Sequence, residues 1–156
     1  MPLLVLAAVM CFGKANAAGQ MALPSSHKHV YSETANPRMD IQAALKEARA
    51  THKRVILDFG ADWCGDCLVL DLYFHQQPNL ELVEKNFVIV HVWVGRMDQH
   101  MDVAHQYGLA MQHGVPALAV LDAHGKVLYA QSTSDFSAAR GVTMERVTAF
   151  LEKWKA

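Results

Sequence analysis

The spacing of apolar residues changes repeatedly along the chain, and each change marks an element. Leu3 to Met10, LLVLAAVM, is an unbroken apolar run, too short to span a bilayer. Residues 19–37 are mostly polar, include Pro24 and Pro37, and predict an arm or linker. Ile41, Ala44, Leu45 and Ala48 recur at helical spacing behind Asp40, a candidate cap, and predict a helix to about Thr51. Val55–Phe59 is a short apolar run interrupted by Asp58, and predicts a buried strand. From Cys64 the pattern is helical through Phe74 and breaks at Pro78-Asn79. Leu80, Leu82 and Val83 then predict a second short helix. Phe87–Val94, FVIVHVWV, is strongly β-prone and contains His91. Residues 95–114 are polar, with a helix around Asp102–Tyr107. Pro116–Leu121 and Val127–Gln131 flank the turn Ala123-His124-Gly125-Lys126 and predict a hairpin. Residues 132–141 read as a loop. A last helix starts at Thr143 with Val147, Phe150, Leu151 and Trp154 on its apolar face. Strands separated by helices predict parallel pairing, and the hairpin adds antiparallel pairing. The fold class is α/β, a mixed central sheet flanked by helices.

Composition adds little to this picture. The chain has 156 residues, 52% hydrophobic and 19% charged, which suits one globular domain. Its net charge of −1 comes without a basic block, so no nucleic-acid or anionic-membrane partner is expected. The N-terminus changes more. The apolar run is followed by Ala15-Asn16-Ala17, a small-x-small pattern, although no Lys or Arg precedes the run. Residues 1–18 are therefore expected to be a cleaved signal peptide, residues 19–37 an N-terminal arm, and residues 38–156 the folded domain. Cleavage would remove Cys11 and leave Cys64 and Cys67 as the mature chain's cysteines, in a periplasmic or secreted protein.

Cys64-Gly65-Asp66-Cys67 admits three readings. A zinc clip needs two further ligands at suitable spacing; there is no second cysteine pair, and none of the nine histidines stands in a tight companion motif. A structural staple closing so small a loop removes little unfolded-state entropy. A redox pair fits best. Positions i and i+3 at a helix start meet the distance a disulfide needs. The unpaired amides and dipole of the first turn favour a thiolate at Cys64. Cys67, one turn in, is placed to attack a mixed disulfide on Cys64.

ILDFGADWCGDC, with GVPAL further on, resembles the active-site segment and the cis-proline loop of the thioredoxin superfamily, over roughly residues 40–156. More narrowly, VILDFGADWCGDC is similar to the C-terminal domain of transmembrane thiol–disulfide interchange proteins and to small exported thioredoxin-like proteins. The resemblance implies a thioredoxin-like fold and a thiol–disulfide oxidoreductase. It assigns Cys64 as nucleophile, Cys67 as resolving thiol and Asp58 as the buried acid that takes the Cys67 proton. It makes Trp63 the aromatic flanking the nucleophile, and Val115-Pro116 the loop that faces the sulfurs and pairs with an extended substrate. Two positions depart from the pattern. Gly60 stands where many thioredoxins carry a second Trp, which predicts an open rim. His91 falls where thioredoxin has a lysine near the buried acid, which predicts either a partner for Asp58 or a core histidine bonded to backbone.

The direction of electron flow is read from smaller signals. Only residues 68–115 separate Cys67 from Pro116, too few for the helical insertion of secreted oxidants. Gly65 and Asp66, between the cysteines, modulate the pair. The charge of Asp66 opposes a Cys64 thiolate, which favours a stronger reductant, although Asp is also a favourable first-turn residue. The expected activity is reduction of disulfide-containing protein substrates by a monomer that uses no cofactor beyond its own dithiol. A membrane electron donor would re-reduce the pair. A different class, copper binding or delivery, rests on Met97, His100, Met101, His105, Met111 and His113, soft or borderline ligands. The plainer reading of that stretch is a solvated helix with methionines packed inward.

Overall fold

The computed structural model describes residues 29–137 and 141–156. The expected signal peptide and the first part of the expected arm lie outside those residues. The elements are α1 (Pro37–Thr51), β1 (Arg54–Gly60), α2 (Gly65–Phe74), α3 (Asn79–Asn86), β2 (Phe87–Trp93), α4 (Met101–Gln106), a 3₁₀ turn (Met111–His113), β3 (Ala117–Leu121), β4 (Val127–Ala130) and α5 (Met144–Trp154). The α1 cap differs from expectation. Asn36, not Asp40, accepts the amides of Arg38 and Met39, and Pro37 takes the first helical position. Proline has no amide hydrogen to lose there, and Asn is among the best caps. Asp40 sits in the first turn instead.

The strands form one mixed sheet in the order β2-β1-β3-β4. β1 and β2 are parallel, with Asp58 opposite His91. β3 follows β2 through α4, yet it runs antiparallel to β1, and β3–β4 is the antiparallel hairpin. The general expectation of parallel pairing between helix-separated strands therefore holds for β1–β2 only. Central β1 is buried at every position after Arg54 because both faces are covered, which is why its sequence is a near-continuous apolar run. On one face Val55, Leu57 and Phe59 pack with Ile41, Ala44 and Ala48 of α1 and with Val103 and Ala104 of α4. On the other, Ile56, Leu118 and Val120 pack with Leu70 and Phe74 of α2 and with Val147, Phe150 and Leu151 of α5.

Two consequences of this register build the site. Alternation puts Asp58 on the α2 face with Ile56. Pairing of Phe59 with Ala117 brings Pro116, one residue before β3, to the C-terminal end of β1, where the cysteine turn begins. Of the expected arm, Pro37 belongs to α1, and residues 29–36 are docked rather than loose: Tyr31 is 1% exposed.

Candidate active site

Cys64 is the N-cap of α2. Its amide is held by the Ala61 carbonyl at 3.0 Å, and its own carbonyl receives the first helical amides, those of Cys67 and Leu68. The Cys67 amide also points at the Cys64 sulfur, 3.2 Å away. A negative charge on that sulfur is thus met by a backbone donor and by the positive end of α2, the arrangement that favours a thiolate. Here the two cysteines form a disulfide, with Cα atoms 5.2 Å apart. Cys64 is 7% exposed and Cys67 fully buried, so an incoming disulfide reaches Cys64 first.

The surroundings combine residues distant in sequence. The Val115–Pro116 peptide bond is cis, and the Val115 carbonyl oxygen lies 3.6 Å from the Cys64 sulfur. Trp63 is half exposed at 51%. Its indole nitrogen donates to the Gly95 carbonyl at 2.7 Å, which fixes the ring beside the cysteine turn. Gly65 is exposed, with open space where a side chain would project, and Asp66 is half-buried in the first turn of α2. Both residues between the sulfurs therefore border the approach to Cys64.

Asp58 is fully buried on β1. Its Oδ2 receives two hydrogen bonds, from the Tyr31 hydroxyl at 2.8 Å and from His91 Nδ1 at 3.0 Å. His91 is thus brought to Asp58 as the strand alignment predicts. Its other nitrogen lies 3.4 Å from Asp71 Oδ1 on α2. Asp71 also faces His75 at 3.4 Å, and the chain of contacts from buried Asp58 ends at that half-exposed imidazole. Burial, followed by the charge of Asp58 and the hydrogen bond to it, pushes the Tyr31 hydroxyl well above the ordinary tyrosine range. Tyr31 therefore stays protonated and acts as a donor throughout the neutral range.

Tyr31 is the site residue that sequence reasoning missed. It comes from the strap of residues 29–36, pinned by Asp62, whose Oδ1 accepts the amides of Val30 and Tyr31 at 3.1 and 3.2 Å. Asp62 Oδ2 is 2.9 Å from His29. The Tyr31 ring also packs edge-on against His91, with centroids 5.3 Å apart. It corrects the expectation of an open rim at Gly60. A Cβ built on Gly60 would stand 2.6 Å from both Cζ and the hydroxyl of Tyr31, so the phenol fills the space that the glycine leaves. The signal that could have found it is a glycine beside the motif together with an aromatic upstream of the first helix.

Met97 and Met101 pack against the core and Met111 is buried. Among the described residues no three His, Cys, Asp or Glu side chains are grouped to hold a metal ion. Nor is any helix among them long and apolar enough to cross a membrane.

A family model described as thioredoxin-like matches residues 36–123. The thiol:disulfide interchange protein DsbD of Vibrio cholerae is 32% identical over 87 residues, 56% of this chain but 14% of that protein. The chain thus covers a small part of that relative's length. A crystal structure of a disulphide isomerase from Xylella fastidiosa Temecula1 superposes with a TM-score of 0.75 at 32% identity, covering 82% of this chain and 98% of that one. The oxidised C-terminal domain of Neisseria meningitidis DsbD superposes with a TM-score of 0.50 at 22% identity, covering 78% of this chain and 97% of the domain, a likeness that bears on fold.

Proposed function

The chain belongs to the thioredoxin-like family, and on that premise we propose that it is an exported reductase of protein disulfides working through Cys64 and Cys67. The observation that carries this reading is the position of Cys64. It stands at the N-cap of α2, disulfide-bonded to a fully buried Cys67, on the loop that follows the strand bearing Asp58. Cys64 thiolate attacks a substrate disulfide and releases one substrate thiolate. Cys67 gives its proton to Asp58 and attacks the Cys64 sulfur. The internal disulfide forms and the second substrate thiolate leaves. An extended substrate segment pairs with the backbone at Val115, ahead of Pro116, while Trp63 covers its flank. A membrane electron donor restores the dithiol.

The reducing direction rests on Asp66. Its carboxylate stands in the same first turn as the Cys64 sulfur, and its charge works against a stable thiolate. A less stable reduced form is a stronger reductant. Equilibration against glutathione or thioredoxin buffers tests this. The expected potential lies below about −200 mV, and a value near about −120 mV, that of a strong oxidant, would contradict the direction. Asp66→Asn should move the potential upward.

A further inference from the structure

The Asp58 carboxylate is used unevenly. Oδ2 takes both hydrogen bonds, from Tyr31 and His91. Oδ1 is equally buried and accepts no hydrogen bond among the described residues. A buried acceptor without a partner costs about 1–3 kcal/mol, more when charged, so such an atom calls for an explanation at a reacting site. Two donors on one oxygen prevent the carboxyl from rotating and leave the other oxygen as the available base.

We propose that Tyr31 is a positioning residue for disulfide exchange: with His91 it clamps Asp58 through Oδ2, so that Oδ1 receives the proton of Cys67. This inference rests on the proposed dithiol mechanism and adds the N-terminal strap to its working parts. In the resolving step the Cys67 S–H bond breaks and its proton passes to Oδ1. The Cys67 sulfur bonds to the Cys64 sulfur, and the bond from Cys64 to the substrate sulfur breaks, its electron pair leaving with the substrate thiolate. The groups around the clamp are Tyr31 and Asp62 at the strap, His91 on β2 and Asp71 on α2. From β3, Leu118 faces Asp58 across the ladder and brings no titratable group. The phenol donates one of the two hydrogen bonds that fix the carboxyl, so its loss frees the carboxyl to turn and Oδ1 to leave its place as the base.

Stopped-flow reaction of the reduced chain with one equivalent of 5,5′-dithiobis(2-nitrobenzoate) separates the steps. The first thionitrobenzoate leaves on attack by Cys64, the second on attack by Cys67. Tyr31→Phe keeps the ring beside Gly60 and removes only the hydroxyl. The expected result is an unchanged first release. The second release is up to about tenfold slower near pH 6, where it needs a positioned base, and converges on the natural chain in alkali, where thiols ionise without one. Gly60→Ala, which displaces the phenol, should slow the second release in the same way. A Tyr31→Phe pH profile of the second release identical to that of the natural chain would overturn the role of Tyr31. Absence of any second release from the natural chain would instead overturn the dithiol mechanism itself.

Discussion

Two segments close over the C-terminal end of β1, and they are held in opposite ways. The backbone of the cysteine turn is held by near neighbours: Ala61 carbonyl to Cys64 amide, Cys64 carbonyl to the first amides of α2, Cys67 amide to the Cys64 sulfur. The strap of residues 29–36 is held by partners 27 to 33 residues away, Asp58 and Asp62. A turn built from local bonds keeps its shape as long as α2 exists. A strap tied by remote contacts holds only while β1 and the turn are in register, and it transmits any change at Asp62 or Gly60 to Asp58. The pair is preorganised by the backbone, whereas Asp58 is preorganised by tertiary contacts to Tyr31 and His91.

The most damaging test of that contrast is Asp62→Ala. It removes the acceptor for two strap amides and the partner of His29 while leaving the hydrogen bonds of the cysteine turn intact. Unfolding by denaturant should show a loss of about 1–3 kcal/mol, with faster amide exchange at Val30 and Tyr31 and little change at Cys67. Equal loosening of the Cys67 amide would erase the distinction between the segments. A smaller effect is expected in alkali. Tyr31 has a folded-state pKa raised above its unfolded value near 10. Its stabilisation is therefore full below pH 10 and is lost as pH climbs toward the folded value. Tyr31→Phe should show a shallower loss of stability above pH 10 than the natural chain; parallel curves would mean that the phenol is not held as described. Arg38→Ala should do least. That side chain links α1 to Asp102 and Gln106 across an exposed surface and touches neither Asp58 nor the cysteines, and exposed pairs contribute little. Its exchange rate with a disulfide substrate should equal that of the natural chain.

The same contrast explains what could be read from the sequence. Cys64, Cys67 and the helix they open are short-range features, legible as a spacing and a cap. Asp58 stood out as an acid inside an apolar strand, and β1 could be read because central strands are apolar on both faces. Pro116 was legible from the residues around it. Tyr31 was not, because HVYSETANP is polar around a single aromatic and its burial depends on a glycine twenty-nine residues later. The Asn36 cap was missed because Asp40 offered a competing cap nearer the apolar stripe. The antiparallel direction of β3 was hidden because hydrophobic pattern reports which strands are buried and not which neighbour each one chooses.

In the proposed exchange Cys64 is the attacking thiol and Cys67 the resolving one. Cys67→Ser should stop the reaction halfway, so that incubation with a disulfide substrate such as oxidised insulin chains linked by their native disulfides leaves one substrate thiol covalently attached, released by dithiothreitol and mapping by mass spectrometry to Cys64. Recovery of no adduct from Cys67→Ser, or of a stable adduct on Cys67 from Cys64→Ser alone, would contradict it.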